Sequence, residues 1–319
     1  MTSIQTPTPS RIVLVDKPQG PSSHDAVRLL RRALQIRRIG HAGTLDPMAT
    51  GLLVMGVGQG TKLLPYLMAQ DKAYIATVRL GMETDTLDAE GKAVTTLPVP
   101  SLDTQRLREA TAGFLGRIDQ YPPIYSALKL DGVALYKRAR RGEDVTPPAR
   151  QVEVFRLEAS IVDAETLKFS LVVGKGFYVR SFARDISRRL GSCGHLIQLR
   201  RERSGPFPIQ NAVSWSSLER MTRGDPKAAD EVNASLLTLT DACEGLPIVQ
   251  LDAQACVAAA QGKVLRVDTF ENVNRELIPE DRPLALISPD KALVAIAMRH
   301  GDDIRVLRGF SLESPRPPS

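Results

Sequence analysis

The sequence predicts an α+β fold with two domains rather than a doubly wound parallel sheet. Strand-like and helix-like segments are mixed without a regular β-α-β rhythm, and 319 residues are more than a typical single domain needs. The last third also changes character, because residues 219–239 are polar and acidic while residues 250–312 contain four short strand-like runs. We therefore expect a larger domain at 11–215, a connecting segment at 216–249 and a small β-rich domain at 250–312.

The elements of the larger domain can be placed from the N-terminus onward. Residues 11–16 form a short apolar strand, and Ser22 or Ser23 can cap the next helix, which has Asp25 in its first turn. Alternation and β-branched residues over 74–80 are typical of a strand. Together the patterns predict strands at 51–55, 74–80, 151–162 and 167–173, and helices at 61–69, 104–115 and 181–190. In the small domain they predict strands at 264–267, 283–288, 293–299 and 304–307.

The positive charge of the chain is concentrated in the larger domain. The net charge is +6, yet residues 1–215 carry 30 Lys and Arg against 20 Asp and Glu, and residues 216–319 carry 12 against 16. The basic excess falls in three clusters: Arg28, Arg31, Arg32, Arg37 and Arg38; Lys137, Arg138, Arg140 and Arg141; and Arg180, Arg184, Arg188, Arg189, Arg200, Arg201 and Arg203. One such cluster is equally consistent with a solvated helix face, but three in one half favour a nucleic-acid partner.

Composition disfavours several classes of protein. The longest apolar runs are too short to span a bilayer, and the first ten residues lack the features of a secretory signal. The three cysteines are widely spaced and form no CxxC pair, so neither a disulfide framework nor a structural zinc site is expected. The four histidines show no metal-ligand spacing. We expect a cytoplasmic protein without membrane contact and without a metal.

The segment 38–51 gives the strongest functional signal. It places one carboxylate, Asp46, among small and turn-forming residues, close to two arginines. Gly40, Gly43 and Pro47 break regular structure, so Asp46 is expected on a turn rather than along a helix face. Such a setting suits a carboxylate that must approach a polyanionic substrate.

The residues from 40 to 53, GHAGTLDPMATGLL, resemble the active-site motif of the TruB family of tRNA pseudouridine synthases. Further segments match that family in the same order: DKAY at 71–74, LGMETDTLDAEG at 80–91, QYPPIYSALK at 120–129, GKGFYVR at 174–180 and GHLIQLRR at 194–201. The resemblance extends over residues 11–215. Several ordered motifs are far more specific than any one of them alone.

This resemblance implies a catalytic domain of pseudouridine synthase type, with a mixed, largely antiparallel sheet, and a small β-rich, PUA-like domain that binds RNA. The implied activity is isomerisation of uridine 55, in the T loop of tRNA, to pseudouridine without a cofactor. The N-glycosidic bond breaks, the base turns, and it rejoins the ribose through C5. The expected partner is tRNA, contacted at its T loop and T stem. No obligate protein partner is implied, and a monomer suffices.

The resemblance also implies roles for three residues in the chemistry. Asp46 is the expected nucleophile, and attack on C1′ of the sugar or on C6 of the base are both chemically reasonable. Arg180 is expected to keep Asp46 ionised and aimed, because a nearby guanidinium favours the charged carboxylate. Tyr74 is expected to stack on the target uracil and to assist removal of the C5 proton.

Other residues are expected to bind the RNA. The target uridine must leave its stack, which costs a few kcal/mol, and His41 is the candidate to enter the space it vacates. Tyr178 and Leu199 are expected to complete the base pocket. Four basic residues are interpreted as phosphate contacts, which position RNA without reading its sequence: Lys62, Lys129, Arg200 and Arg201.

The sequence departs from the family pattern at two positions, and it leaves alternatives. Phe177 stands where the family usually has a small polar residue, and Ala42 where it often has Thr. The segment 56–62, GVGQGTK, is similar to a phosphate-binding P-loop, but Thr61 separates the last glycine from Lys62. The arginine clusters alone would also fit a non-catalytic RNA-binding protein or a tRNA folding chaperone.

Overall fold

The computed structural model describes residues 10–126, 128–130, 132–135, 138, 141, 143, 145, 147–267 and 278–311. Lys137 and Arg140 of the second basic cluster lie outside the described residues, as does the side chain of Lys129.

The strands of the described part are β1 (Arg11–Lys17), β2 (Ile39–Ala42), β3 (Thr50–Val57), β4 (Lys72–Leu80), β5 (Met82–Thr84), β6 (Ala93–Thr96), β7 (Gly116–Gln120), β8 (Lys129–Leu130), β9 (Val133–Ala134), β10 (Arg150–Ile161), β11 (Thr166–Val173), β12 (Gly194–Ser204), β13 (Phe207–Pro208), β14 (Val213–Ser214), β15 (Ile248–Gln250), β16 (Leu265–Arg266), β17 (Pro283–Ile287), β18 (Leu293–His300) and β19 (Asp303–Gly309). The α-helices there are α1 (Ser23–Leu34), α2 (Leu64–Met68), α3 (Thr104–Ala112), α4 (Val179–Arg189), α5 (Trp215–Thr222), α6 (Pro226–Ala234) and α7 (Ala253–Ala260).

A ten-stranded sheet organises the larger part of the molecule. Its strand order is β14-β1-β3-β12-β4-β11-β10-β7, with β2 paired to β3 and β13 paired to β12. Within the described residues, two of its pairings, β1 with β14 and β12 with β3, are parallel, and the others are antiparallel. The predicted α+β class with a mixed, largely antiparallel sheet is confirmed.

The neighbouring strands β1 and β3 are buried on both faces. Successive side chains of a strand point to opposite sides, and here each side belongs to a different apolar core. One core, covered by α1 and α4, receives Val13, Val15, Leu53 and Met55. The other receives Ile12, Leu14, Leu52 and Val54, together with Ala285, Ile287, Leu293, Ile296 and Phe310 from the C-terminal part of the chain.

The C-terminal part forms a second sheet with the order β15-β17-β18-β19-β16. Its outer face, away from the shared core, packs against α7 around Leu284, Leu286 and Val294. The predicted β-rich character of this region is confirmed. The predicted boundaries at 216 and 250 remain predictions, and Leu218 and Val232 of the connecting segment pack into the core beneath α1.

Local structure follows the sequence closely at some elements and departs from it at others. Ser22 caps α1 in a capping box with Asp25, as its sequence predicts. The predicted helix at 61–69 is instead a 3₁₀ turn at Gly58–Lys62 followed by the short α2, because Pro65 lacks an amide hydrogen and fits only a first helical turn.

The strand β12 was not predicted, although it lies at the centre of the large sheet. Register shifts occur at residues 196–198 and 201–203, where β12 pairs with β4. Each bulge inserts an extra residue and reverses which side chains face inward. Period-two alternation is therefore lost, and a segment rich in arginine does not look like a buried strand.

Along the part of the chain that the structure describes, no helix combines the length and the apolar character that crossing a membrane requires.

Candidate active site

Asp46 lies in the loop of residues 43–49 between β2 and β3, which we call the Asp46 loop. Three hydrogen bonds from the N-terminal segment hold this loop. The Ser23 hydroxyl donates to the Leu45 carbonyl at 3.0 Å and accepts from the Leu45 amide at 2.8 Å. The Gly20 amide donates to the Pro47 carbonyl at 2.9 Å. The backbone on both sides of Asp46 is thus fixed.

The carboxylate of Asp46 makes a two-point contact with Arg180. The Nε atom lies 2.9 Å from Oδ2, and Nη2 donates to Oδ1 at 3.1 Å. The guanidinium is itself held by the carbonyls of Thr86 and Tyr125, each at 2.9 Å, and the Arg180 side chain is only 8% exposed. A bidentate pair fixes both the position and the orientation of the carboxylate. The expected pairing of Asp46 with Arg180 is present in the structure.

A second carboxylate joins this pair. Asp88 Oδ2 lies 3.5 Å from Arg180 Nη1, and its side chain is 5% exposed, whereas that of Asp46 is 32% exposed. Burial raises the pKa of Asp46 above its ordinary value, and the negative charge of Asp88 adds to this, while Arg180 opposes it. Of the two acids on Arg180, Asp46 is therefore the one open to a substrate.

Lys17 lies beneath the Asp46 loop with no exposed surface. Its ammonium donates to the carbonyls of Pro18 at 2.9 Å, Pro21 at 2.8 Å and Pro47 at 3.4 Å. Burial lowers the pKa of Lys17 to about 8, although the charges of Asp46 and Glu90 raise it. This lysine ties the N-terminal turn to the loop and places a positive charge close to the nucleophile candidate.

The expected base-pocket residues share one apolar core with the Asp46 loop. Tyr74 on β4 and Leu199 on β12 belong to the same cluster as Leu45 and Met48 of the loop. The hydroxyl of Thr50, just after the loop, donates to the Leu199 carbonyl at 3.3 Å. The structure therefore places Leu199 in contact with the strand that follows the Asp46 loop, and Tyr74 in the same apolar core as the loop.

Tyr178 immediately precedes α4, the helix that carries Arg180. Its amide donates to Gln120 Oε1 at 2.8 Å, and Gln120 Nε2 donates to the Tyr178 carbonyl at 3.1 Å. The side chain is half-buried. Phe177, the departure noted in the sequence, packs against the core with its ring centre 6.1 Å from that of Phe182. It therefore contributes to packing beneath the pocket.

His41 is the third residue of β2, two positions before the Asp46 loop. Its ring lies edge-on to that of His24, with the centres 5.9 Å apart. Nδ1 is buried and has no hydrogen-bond partner among the described residues. Burial lowers the pKa of His41, and the charges of His24 and Arg201 act in the same direction. A neutral ring with an unused polar atom is suited to contact a base.

The two arginines 200 and 201 have opposite environments, and one prediction is wrong. Arg200 pairs with Asp16 at 2.9 Å, and its side chain is 40% exposed, so it can still face RNA. Arg201 is 1% exposed, and its guanidinium donates to the carbonyls of Leu52 and Gly43. Arg201 is therefore not a surface phosphate contact, because the bulge in β12 turns it into the core.

The phosphate contacts predicted for Lys62 and Lys129 remain predictions. Lys62 donates to the Gly309 carbonyl at 2.9 Å and to Gln59 Oε1 at 3.0 Å, and lies 5.4 Å from the ring centre of Phe310. It thus bridges the two sheets at a partly exposed position. The backbone of Lys129 lies in β8, and its side chain is outside the described residues.

Sequence reasoning did not assign Lys17, Ser23 or Asp88 to the site. Asp88 lies inside a quoted motif, and Lys17 precedes a Pro-x-Gly turn, so both had a local signal that was not used. Ser23 was considered only as a helix cap, but Ser22 fills that role and leaves the Ser23 hydroxyl for the loop. Among the described residues, no group of three or more His, Cys, Asp or Glu side chains is arranged to hold a metal ion.

Two family models match the chain. The first, described as TruB family pseudouridylate synthase (N terminal domain), matches residues 31–179. The second, described as tRNA pseudouridylate synthase B C-terminal domain, matches residues 180–242. Asp46 and Tyr74 lie in the first match, and Arg180 and Leu199 in the second.

Similar proteins are found among curated sequences and solved structures. The tRNA pseudouridine synthase B of Aromatoleum aromaticum is 46% identical over 80% of this chain and 80% of its own length. That of Geobacter sulfurreducens is 39% identical over 89% and 92%. A crystal structure of a Cbf5-Nop10-Gar1 complex contains a chain that superposes with a TM-score of 0.74, covering 94% of this chain and 85% of that one at 22% identity. That identity shows a common fold alone.

Proposed function

Because the chain belongs to the TruB family of pseudouridine synthases, and is therefore an isomerase that acts on tRNA, we propose that Asp46 is its nucleophile and uridine 55 its target. The observation that carries the proposal is the two-point contact of Arg180 with Asp46. It holds the carboxylate in one orientation, with a third of its side chain open to a ligand. Covalent catalysis by a carboxylate needs such a fixed charge.

In this proposal, each step uses a residue whose surroundings fit it. The uridine leaves its stack, and the neutral ring of His41 contacts the space it vacates. The Asp46 carboxylate bonds to C1′ of the ribose or to C6 of the uracil, and the glycosidic bond breaks. The base turns, a bond forms between its C5 and C1′ of the ribose, and the bond to Asp46 breaks. C5 then loses its proton and N1 of the base gains one, with Tyr74 stacked on the ring.

Binding is proposed to depend on the basic surface and on both sheets. Tyr178 and Leu199 line the base pocket, while Arg200, Lys62 and Lys129 contact phosphates of the T loop and T stem. Lys62 lies where the large sheet meets β19, so an RNA bound there would touch both parts of the chain. We propose that the protein acts in the cytoplasm as a monomer, without a cofactor or an obligate protein partner.

The central test compares Asp46→Asn with the wild type on tRNA labelled with tritium at C5 of uridine. The variant is expected to lose at least about 10⁴-fold in tritium release while binding tRNA as tightly, because only the nucleophile is removed. Asp103→Asn is the matched control. Asp103 caps α3 through its side chain, a role that Asn fills equally well, so its activity should match the wild type.

Three results would contradict parts of the proposal. Substantial tritium release by Asp46→Asn would remove Asp46 from its role. A transcript with cytidine at position 55 should release no tritium, and release from it would refute the choice of uridine 55 only. A wild-type protein that bound tRNA tightly but released no tritium would instead favour the non-catalytic RNA-binding alternative.

A further inference from the structure

The buried guanidinium of Arg201 lies beneath the Asp46 loop and contacts the backbone on both sides of it. Nε donates to the Leu52 carbonyl at 2.6 Å, and Nη2 donates to the Gly43 carbonyl at 3.2 Å. Gly43 is the first residue of the loop, and Leu52 follows the loop in β3. One planar group therefore links the two ends of the segment that presents Asp46.

The backbone at Gly51, beside this contact, is packed too closely for a side chain. Gly51 pairs with Arg201 in the parallel register of β3 and β12, and its φ is +101°. A Cβ atom there would overlap the backbone carbonyl oxygen of Arg201. Gly43 also has a positive φ, +88°, and a Cβ on it would lie 3.5 Å from Arg201 Nη1. The loop thus closes directly onto the arginine.

The charge of Arg201 has no acidic partner among the described residues, since its hydrogen bonds go to backbone carbonyls. A guanidinium cannot shed its proton when it is buried. An uncompensated buried cation lowers the stability of the fold, and an apolar side chain of similar size would be less costly there. Packing alone therefore does not explain an arginine at this position. Its planar guanidinium, however, can donate to two carbonyls at once in a fixed geometry.

We propose that Arg201 is a positioning residue, which fixes the Asp46 loop so that the carboxylate meets the reacting atom, and that it makes no contact with tRNA. The inference rests on the proposed role of Asp46. Lys72 lies on the same side of Gly43 and donates to the carbonyls of Met68 and Gln70 at 2.8 Å and 2.5 Å. Its ammonium therefore donates away from the carbonyls of Gly43 and Leu52 that the Arg201 guanidinium holds.

The first test compares Arg201→Lys and Arg201→Met with the wild type, in single-turnover tritium release at saturating tRNA and in tRNA binding. A misplaced nucleophile slows the reaction without weakening binding, so we expect the rate to fall about 10- to 100-fold with Kd within about threefold. Arg299→Met is the matched control, because Arg299 is also a buried arginine that donates to backbone carbonyls, but in the small sheet. Its single-turnover rate should equal that of the wild type.

A second test uses the unaltered protein, in case the variants fold poorly. Phenylglyoxal modification, mapped by mass spectrometry, should leave Arg201 unmodified with or without tRNA, while the exposed Arg37 reacts. Modification of Arg201 in the free protein and protection by tRNA would overturn the inference. So would folded Arg201 variants with normal rates at saturation. If those variants are normal while Asp46→Asn is inactive, only this inference fails and the proposed function stands.

Discussion

Two regions of the molecule bury an arginine in similar ways but differ in everything around it. Arg299 in the small sheet is 7% exposed and donates to the carbonyls of Gly301 and Ile278, each at 2.7 Å, with the Glu280 carboxylate 3.7 Å away. The strand that carries it, β18, also contributes Val294, Ala295 and Ala297 to the apolar core of the small sheet. Around the Asp46 loop, by contrast, the buried charged residues form a group: Lys17, Lys72, Asp88, Arg180 and Arg201.

The difference shows that the two regions are specified by different forces. The small sheet is held by apolar burial, which is non-directional and follows the alternation of its strands. The Asp46 loop is held by directed hydrogen bonds between charged groups and backbone carbonyls, which lower stability unless each is satisfied. Fixed charges of this kind need not reorganise during a reaction, so they can favour its transition state. Stability and catalytic competence should therefore respond to different substitutions.

The largest expected effect is that of Arg180→Met. Removing the guanidinium leaves Asp46 and the buried Asp88 as neighbouring acids without a shared cation, so Asp46 loses its orientation and its pKa increases further. Single-turnover tritium release at neutral pH should fall by about 10³-fold or more. A decrease smaller than tenfold would mean that the charged group is not needed for the chemistry.

Arg180→Lys sharpens this prediction through its pH profile. The wild-type rate should fall as pH decreases through the pKa of Asp46, which burial raises above the ordinary value for aspartate. A lysine cannot make the two-point contact, so Asp46 should be protonated at a higher pH. The acidic limb of the pH–rate profile should therefore move to higher pH. An unchanged limb would show that this limb does not report on Asp46.

Leu284→Ala tests the other side of the comparison. Leu284 has no exposed surface and packs in the core of the small sheet. Its truncation should lower the free energy of unfolding of this sheet by about 2–5 kcal/mol, as measured by urea denaturation. Tritium release at saturating tRNA, below the unfolding transition, should stay within about twofold of the wild type, because Leu284 lies on the face of the small sheet away from the shared core. A large rate decrease in the folded variant would show that the regions are coupled.

The smallest effect is a pH dependence of stability that Lys17 produces. With a folded pKa near 8 and an ordinary unfolded value of 10.5, the unfolded chain holds a proton on Lys17 between these values and the folded chain does not. Stability from this group therefore increases with pH over that window. The unfolding free energy of the wild type relative to Lys17→Met should increase by about 1–2 kcal/mol from pH 7.5 to 9.5.

The matched comparison for Lys17 is Lys263→Met, since Lys263 is exposed in the C-terminal part. Urea denaturation of this variant at the same two pH values should show a constant difference from the wild type. If Lys17→Met also gave a constant difference, its ammonium would not be titrating in the fold as its burial implies.

The sequence predicts the apolar strands of the molecule better than it predicts the charged surroundings of the Asp46 loop. Apolar alternation and turn residues are sufficient to place β1, β4, β10, β11 and four of the five strands of the small sheet, β16 to β19, to within a few residues, whereas β15 is not predicted. The capping box of α1 was readable because it is local. In contrast, β12 was missed because its bulges interrupt the alternation on which strand prediction depends.

The site residues that lie in a sequence motif can be predicted from the sequence. Those that join the site only through tertiary contacts cannot. Asp46 and Arg180 are 134 residues apart, and only the family resemblance joined them before the structure did. Arg201 was misassigned because a sequence shows that an arginine is present, not which side of a strand it faces. Ser23 and Lys17 act through backbone carbonyls, which have no side-chain signature.

Because the two sheets share an apolar core, removing the small sheet from the chain would expose part of that core. Ile12, Leu14, Leu52 and Val54 face Ile287 and Phe310 rather than solvent. A truncated form that ended before β15 would expose these apolar side chains to water. They belong to β1 and β3, and β3 follows the Asp46 loop. Such a fragment should be prone to self-association. The small sheet therefore shields the apolar core of the large sheet from water, in addition to any contact it makes with RNA.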